Sequence, residues 1–171
     1  AALMTGTKVS YRTVSAYAEL LSVPAMEALM MEAMQEAEKP EYTDDDFAYA
    51  ARFAADQASP AIDTAILPAD QSINLGSTDV GDVSWQVPTG LIGVTTEAAG
   101  CALHTWQIVA QGKSPLAHKG MHYAARILFA AAKKLYESPE RCALIQDDYQ
   151  NVIGHRTYQS MLPDSVKPGD F

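Results

Sequence analysis

The sequence predicts an α/β layer fold, and three observations carry that expectation. Short stretches at 8–14, 83–87 and 91–96 have the composition or the two-residue period of strands. Between and after them lie stretches whose apolar residues recur every three or four positions, as on one face of a helix. The composition, 48% hydrophobic and 19% charged over 171 residues, suits a globular chain that buries one sizeable core. Strands separated by helices are expected to pack as layers.

Lys8-Val9-Ser10-Tyr11-Arg12-Thr13-Val14 alternates polar and apolar side chains, the pattern of a half-buried strand. Ser22-Val23-Pro24 opens a helix, with Ser22 as its cap and Pro24 in the first turn, where a missing N–H costs nothing. Met26, Leu29, Met30, Ala33, Met34 and Ala37 form one stripe toward a core, and Lys39-Pro40 ends the helix. The methionines suit gap-filling in a core more commonly than a soft binding groove. Thr43 with Asp46 resembles a capping box in which Asp replaces Glu, and Asp44, Asp45 and Asp46 complement the positive end of the helix dipole. Three adjacent carboxylates also allow a metal site, although a first-turn acidic cluster is normally solvated. The helix over 45–57 turns Phe47, Ala50, Ala51 and Ala54 inward until Ser59-Pro60 breaks it. The chain up to Leu75 reads as a surface connection, with one helical turn near 61–65.

Gly76-Ser77-Thr78-Asp79-Val80-Gly81-Asp82 places two glycines and two aspartates in a short run, so the backbone there must turn tightly and approach something closely. Residues 83–87 make a short strand ended by Pro88, and Leu91-Ile92-Gly93-Val94-Thr95-Thr96 a buried one. Ser114-Pro115 opens the strongest helix, over 115–137. Its Ala124, Ala125, Ile127, Leu128, Ala131, Ala132 and Leu135 form a wide apolar face whose small residues allow close packing. Ser138-Pro139 interrupts it, a second helix runs through 140–152, and from Gly154 the polar, proline-bearing chain reads as an extended tail.

The formal charge of −9 disfavours nucleic acid and anionic membrane surfaces as partners. No apolar run is long enough to span a membrane. Two cysteines, Cys101 and Cys142, make no disulfide framework, so a reducing cytoplasm is the simpler compartment. The opening Ala1-Ala2-Leu3-Met4-Thr5 lacks an initiator methionine. Together with the shortage of strands, this favours a piece of a longer protein over simple methionine removal.

The candidate chemistry centres on His104, which follows a short apolar stretch and precedes a loop, a position from which an imidazole reaches a cleft. The aspartate loop and His104 are read as two halves of one site, although a lone histidine is more often structural than a ligand. Cys101-x-x-His104 with His118-x-x-x-His122 has the rhythm of a zinc finger. Against it, His118 and His122 open a helix and the core is too large to need metal for folding. Cys101 reads as a buried small hydrophobe rather than a nucleophile. Lys119 and Gly120 let the backbone come close to other chain.

Three segments in this order and spacing carry a family resemblance: Gly76-Ser77-Thr78-Asp79-Val80-Gly81-Asp82-Val83-Ser84, Leu103-His104-Thr105-Trp106-Gln107 and Ala117-His118-Lys119-Gly120-Met121. With Met4-Thr5-Gly6-Thr7 and Tyr42-Thr43-Asp44-Asp45-Asp46-Phe47-Ala48, the chain resembles the C-terminal part of the dinuclear metal-dependent amidohydrolases and carboxypeptidases related to p-aminobenzoyl-glutamate hydrolase. The resemblance implies the C-terminal part of a three-layer αβα zinc-peptidase-like catalytic domain, with a terminal strand from an α+β lid domain at the N-terminus. Residues 1–15 would end the lid, 16–153 would belong to the catalytic domain and 154–171 would form the tail. It further implies two zinc or manganese ions, with His104 as a metal ligand. Gly76, Ser77, Thr78 and Asp79 would bind substrate or orient ligands.

The family's His-x-Asp segment, bridging aspartate, paired glutamates and lid histidine find no match here. Glu27, Glu32, Glu36 and Glu38 read as solvated positions on a helix. No catalytic residue is therefore assigned within this chain. The resemblance implies a hydrolase of N-acyl or aminobenzoyl amino acids or small dipeptides, homodimeric in full form and inactive without its N-terminal half. The rival expectation is a non-catalytic α/β interaction module in which His104 is structural and the acidic loop is merely a turn.

Overall fold

A computed structural model describes residues 1–54, 60–68 and 76–167. The helices are α1 (Ala2–Thr5), α2 (Pro24–Glu36), α3 (Asp44–Ala50), α4 (Val80–Ser84), α5 (Trp106–Gln111), α6 (Pro115–Glu137) and α7 (Pro139–Ile153). Among the described residues there is no β-strand. This overturns the expected α/β class, the three-layer αβα arrangement and the terminal lid strand alike.

The reason differs at each expected strand. Residues 8–14 follow α1 without regular structure and lie mostly exposed, with Val9 and Tyr11 turned to solvent, so their alternation has no core to face. Most of 83–87 is taken by the end of α4 and the turn after it. Residues 91–96, expected to be buried, are so only in part: Ile92 and Val94 pack against the core while Leu91 and Gly93 face out, and among the described residues no strand pairs with them. Side-chain alternation alone makes no ladder, because a strand exists only through a neighbour's hydrogen bonds.

The organising elements are α2, α6 and α7, which pack on one another, with α3 added against α6. Both long C-terminal helices start with Ser-Pro. Ser114 Oγ accepts from Ala117 N at 3.1 Å and Ser138 Oγ from Arg141 N at 3.2 Å, with Pro115 and Pro139 at the first helical positions. Ser138 alone joins α6 to α7; its φ of −135° and ψ of 92° break the helix, as the residue before a proline tends to do. The cap of α2 differs from expectation. Val23 is the N-cap, Ser22 Oγ bonds the Glu27 carboxylate, and Asp148 from α7 accepts Ala25 N at 2.8 Å.

Helix α6 buries Leu116, Ala117, Gly120, Tyr123, Ile127 and Ala131, a stripe at the expected spacing. Leu29, Met30 and Ala33 of α2 and Ile145 and Tyr149 of α7 complete the first core with its inner half. Tyr123 OH donates to Met34 O at 2.8 Å. A second, smaller cluster gathers Ala50, Ile62, Ala98 and Leu116. Of the wide face expected on α6, Ile127 and Ala131 are buried, whereas Ala125, Leu128 and Ala132 are exposed.

Charges tie the three helices. Glu32 of α2 binds Lys134 at 2.7 Å and also Arg141 of α7, while Glu36 binds Lys134 at 2.6 Å. These glutamates are thus ion-pair partners rather than merely solvated. Hydrogen bonds from Arg141 and then Lys134 pull the Glu32 carboxyl down to about 2. Lys119 likewise pairs with the buried carboxylate of Asp46. Burial raises the Asp46 pKa, but Lys119 and the N–H and hydroxyl of Thr43 outweigh it, so the net shift is downward. The capping box at Thr43 and Asp46 forms as expected.

Two outcomes test this arrangement. A Cβ on Gly120 would lie 2.1 Å from the Thr95 carbonyl oxygen. Gly120→Ala gains about 1 kcal/mol of helix propensity but forces overpacking that costs about 1–3 kcal/mol or more, so urea denaturation should show a net loss of stability. Glu32 binds its proton less tightly folded than unfolded. Its contribution is therefore complete above an unfolded value of about 4.5 and lost as pH falls through about 2. Across that window the melting temperature of the wild type should fall more steeply than that of Glu32→Gln.

Candidate functional site

The glycine-aspartate loop turns as its composition demands. Gly76, Ser77, Thr78 and Asp79 are exposed, and Thr78 closes the turn, its hydroxyl accepting from Val80 N and its carbonyl from Gly81 N, each at 3.3 Å. Asp79 is the N-cap of α4, but its carboxylate makes no capping bond. The close approach occurs at Gly81, where a Cβ would sit 2.0 Å from the carbonyl oxygen of Ala18. Further contacts fasten α4 to the same stretch of chain. Asp82 Oδ1 accepts from Ala18 N at 3.2 Å and Tyr158 OH at 2.9 Å. Ser84 Oγ accepts from Leu21 N at 2.9 Å, and Trp85 Nε1 donates to Glu19 O at 3.0 Å.

His104 is anchored to a different part of the fold. It lies exposed on the turn before α5 with φ of 61°, the one non-glycine residue with positive φ among the described residues. Histidine visits that left-handed region more readily than most residues, yet it still costs about 1–3 kcal/mol, which the surroundings must over-determine. They do so through Thr105 Oγ1, donating to Ala102 O at 2.8 Å, and through Gln111. Gln111 is fully buried; its Oε1 accepts from Ala98 N at 2.8 Å, and its Nε2 donates to Gln107 O at 3.1 Å and to Cys101 Sγ at 3.5 Å. Cys101 is half-buried and its thiol donates to Phe53 O at 3.3 Å, so it serves as a packed, hydrogen-bonded side chain. The Phe53 ring meets Trp106 edge-on at 6.3 Å.

The turn of His104 thus rests on the second core cluster, and the loop at 76–79 leads into a helix held by residues 18–21. A cavity of about 570 Å³ opens between Met30, Met31 and Met34 of α2 and residues 91–95, with Asp63, Glu97, Ala98 and Cys101 among its lining, so it borders the residues that hold the turn of His104. Neither His104 nor Gly76, Ser77, Thr78 and Asp79 lines it. His104 joins a strained backbone to an exposed side chain, whereas the cavity is walled by methionines and by residues of the 91–101 segment.

Among the described residues, no three histidine, cysteine, aspartate or glutamate side chains group as a metal site. Zinc needs at least three protein ligands, so the one imidazole of His104 does not by itself fit the expected ions. The acidic run at 44–46 is divided: Asp46 is committed to Thr43 and Lys119, and Asp44 and Asp45 are exposed. His118 and His122 are exposed on α6. No helix among the described residues is long and apolar enough to cross a membrane.

The sequence reading missed Gln111, and no local signal marks it. A glutamine at the end of a short helix looks solvated until Ala98 is folded beneath it.

Comparison with known proteins adds a relative. The chain is similar to a subunit of p-aminobenzoyl-glutamate hydrolase of Escherichia coli (strain K12), 29% identical over 197 residues. The match takes in 98% of this chain but only 41% of the relative, its C-terminal portion, so the resemblance seen in the motifs extends to nearly the whole chain. No protein-family model and no solved structure matches.

Gln111→Ala strips the Ala98 N–H of its acceptor, a loss of about 1–3 kcal/mol in thermal or urea unfolding. The same change should speed maleimide labelling of Cys101 while leaving the exposed Cys142 unaffected.

Proposed function

We propose that this chain is the C-terminal part of a metal-dependent hydrolase that cleaves amide bonds of N-acyl or aminobenzoyl amino acids, p-aminobenzoyl-glutamate being the first substrate to try. The observation that carries this reading is the similarity of almost the whole chain to the C-terminal portion of the Escherichia coli hydrolase. The left-handed, exposed His104 supports it, because a strained polar residue at a turn is where function concentrates.

In this reading His104 supplies one ligand to a zinc or manganese site whose other donors come from polypeptide outside this chain. Gly76, Ser77, Thr78 and Asp79 position substrate through backbone groups and a carboxylate that makes no helix-capping bond. The chain alone is inactive. Its partners are a small amide substrate and the N-terminal part of the enzyme, with a homodimer as the complete form and a reducing cytoplasm as its compartment.

The test is reconstitution with the N-terminal polypeptide of the Escherichia coli relative, ended where the match begins. Zinc- or manganese-dependent hydrolysis of p-aminobenzoyl-glutamate should appear only in the complete protein. His104→Ala should lower kcat by at least about 100-fold and reduce bound metal measured by atomic emission. Unchanged hydrolysis after His104→Ala would make the histidine structural and end this reading of the site.

A further inference from the structure

We propose that the outward face of α6 is the docking surface for the N-terminal polypeptide of the enzyme, the part equivalent to the relative's unmatched length. This inference rests on the functional reading above and names where its partner binds. Met121, Leu128, Phe129 and Tyr136 are 56%, 52%, 71% and 92% exposed, and exposed Ala125 and Ala132 lie between them. The steps of three and four residues place all six on one side of the helix. The opposite side is already committed to α2 and α7 through Tyr123, Ile127 and Ala131. The stripe is therefore held rigid from behind and needs no ordering to receive a partner.

Size favours a docking surface over chance exposure. With aromatic side chains offering about 150–250 Å² each, the stripe presents on the order of 500 Å² of apolar surface, the upper range for a monomer. Matched by an equal area on a partner, it reaches the roughly 1,000 Å² that separates a specific interface from an adventitious one. The stripe has no charged member, so its occupant must be apolar where it lands, and the two alanines allow backbone to approach closely. The length of the relative identifies that occupant. More than half of it lies outside the match, and an uncovered apolar stripe of this size on the matched part offers that portion a place to pack.

The experiment mixes the 171-residue chain with the N-terminal polypeptide of the Escherichia coli relative, ended where the match begins. Binding is read by titration and by size exclusion with light scattering. The wild type should form a one-to-one complex. The double variant Leu128→Asp, Phe129→Asp should weaken it by at least about tenfold at an unchanged melting temperature. If the double variant melts early, the single change Tyr136→Asp is read in its place. No complex with the wild type, or a complex indifferent to these changes, overturns the proposal. So does a self-associated wild type that the stripe variants dissociate and the added polypeptide leaves intact, which would give the face to a second copy. A complex that uses the stripe yet hydrolyses no p-aminobenzoyl-glutamate leaves the docking surface standing and removes the functional reading instead.

Discussion

Helix α6 carries more apolar surface than the described chain covers, and the rest of the structure is arranged around that imbalance. One of its faces closes the main core with Leu29 and Met30 of α2 and Ile145 and Tyr149 of α7. Glycine at position 120 brings its first turns against the carbonyl of Thr95, where any side chain would intrude. The ion pairs of Glu32 with Lys134 and Arg141 lie at the junction of α2, α6 and α7, where one carboxylate meets both C-terminal helices. Burial supplies most of the free energy, and these partly exposed pairs add little to it.

Much of the helical part of this fold was legible because helices are local. Pro24, Pro115 and Pro139 each stand at the first position of a helix, and a serine caps two of the three. Thr43 and Asp46 formed the box their spacing implied. Strands are not local, and there the reading failed. The buried strand expected at 91–96 is buried only in part: Ile92 and Val94 do pack inward, but Leu91 is exposed, and among the described residues no neighbouring chain hydrogen-bonds to that segment as a strand. At 83–87 the failure has another cause: the start of that stretch belongs to α4, whose Gly81 and Ser84 face the chain at 18–21 from a short helix, which a strand-like composition cannot reveal. The expected helix over 45–57 closes earlier, at Ala50, and 55–57 lie outside the described residues.

The candidate site was legible in its residue types and not in its assembly. The Gly-Asp loop announced a tight turn, and the glycine that makes a close approach proved to be Gly81, against Ala18. Lys119 and Gly120, conspicuous beside His118, serve the fold by reaching Asp46 and Thr95. Position 104 could be singled out from its setting, but its left-handed backbone could not, because histidine carries no such requirement in sequence. Ala98, Cys101 and Gln111, which hold its turn, are joined only through tertiary contacts.

If His104 is the ligand proposed above, it must meet donors from other polypeptide, and it is useful only if its turn does not wander. The turn at His104 offsets its backbone strain within this chain, through the buried amide of Gln111 and the hydroxyl of Thr105, before any partner arrives. The outer face of α6 is likewise set by packing on its inner side. A backbone turn already held and a helix face already formed would both remove ordering entropy from an association step. An interface of ordinary size can then be stable without exceptional contacts. Under the proposed function, the strain at position 104 and the uncovered stripe on α6 would share one physical meaning: part of the cost of completing a site across two polypeptides would be borne by the folded chain in advance.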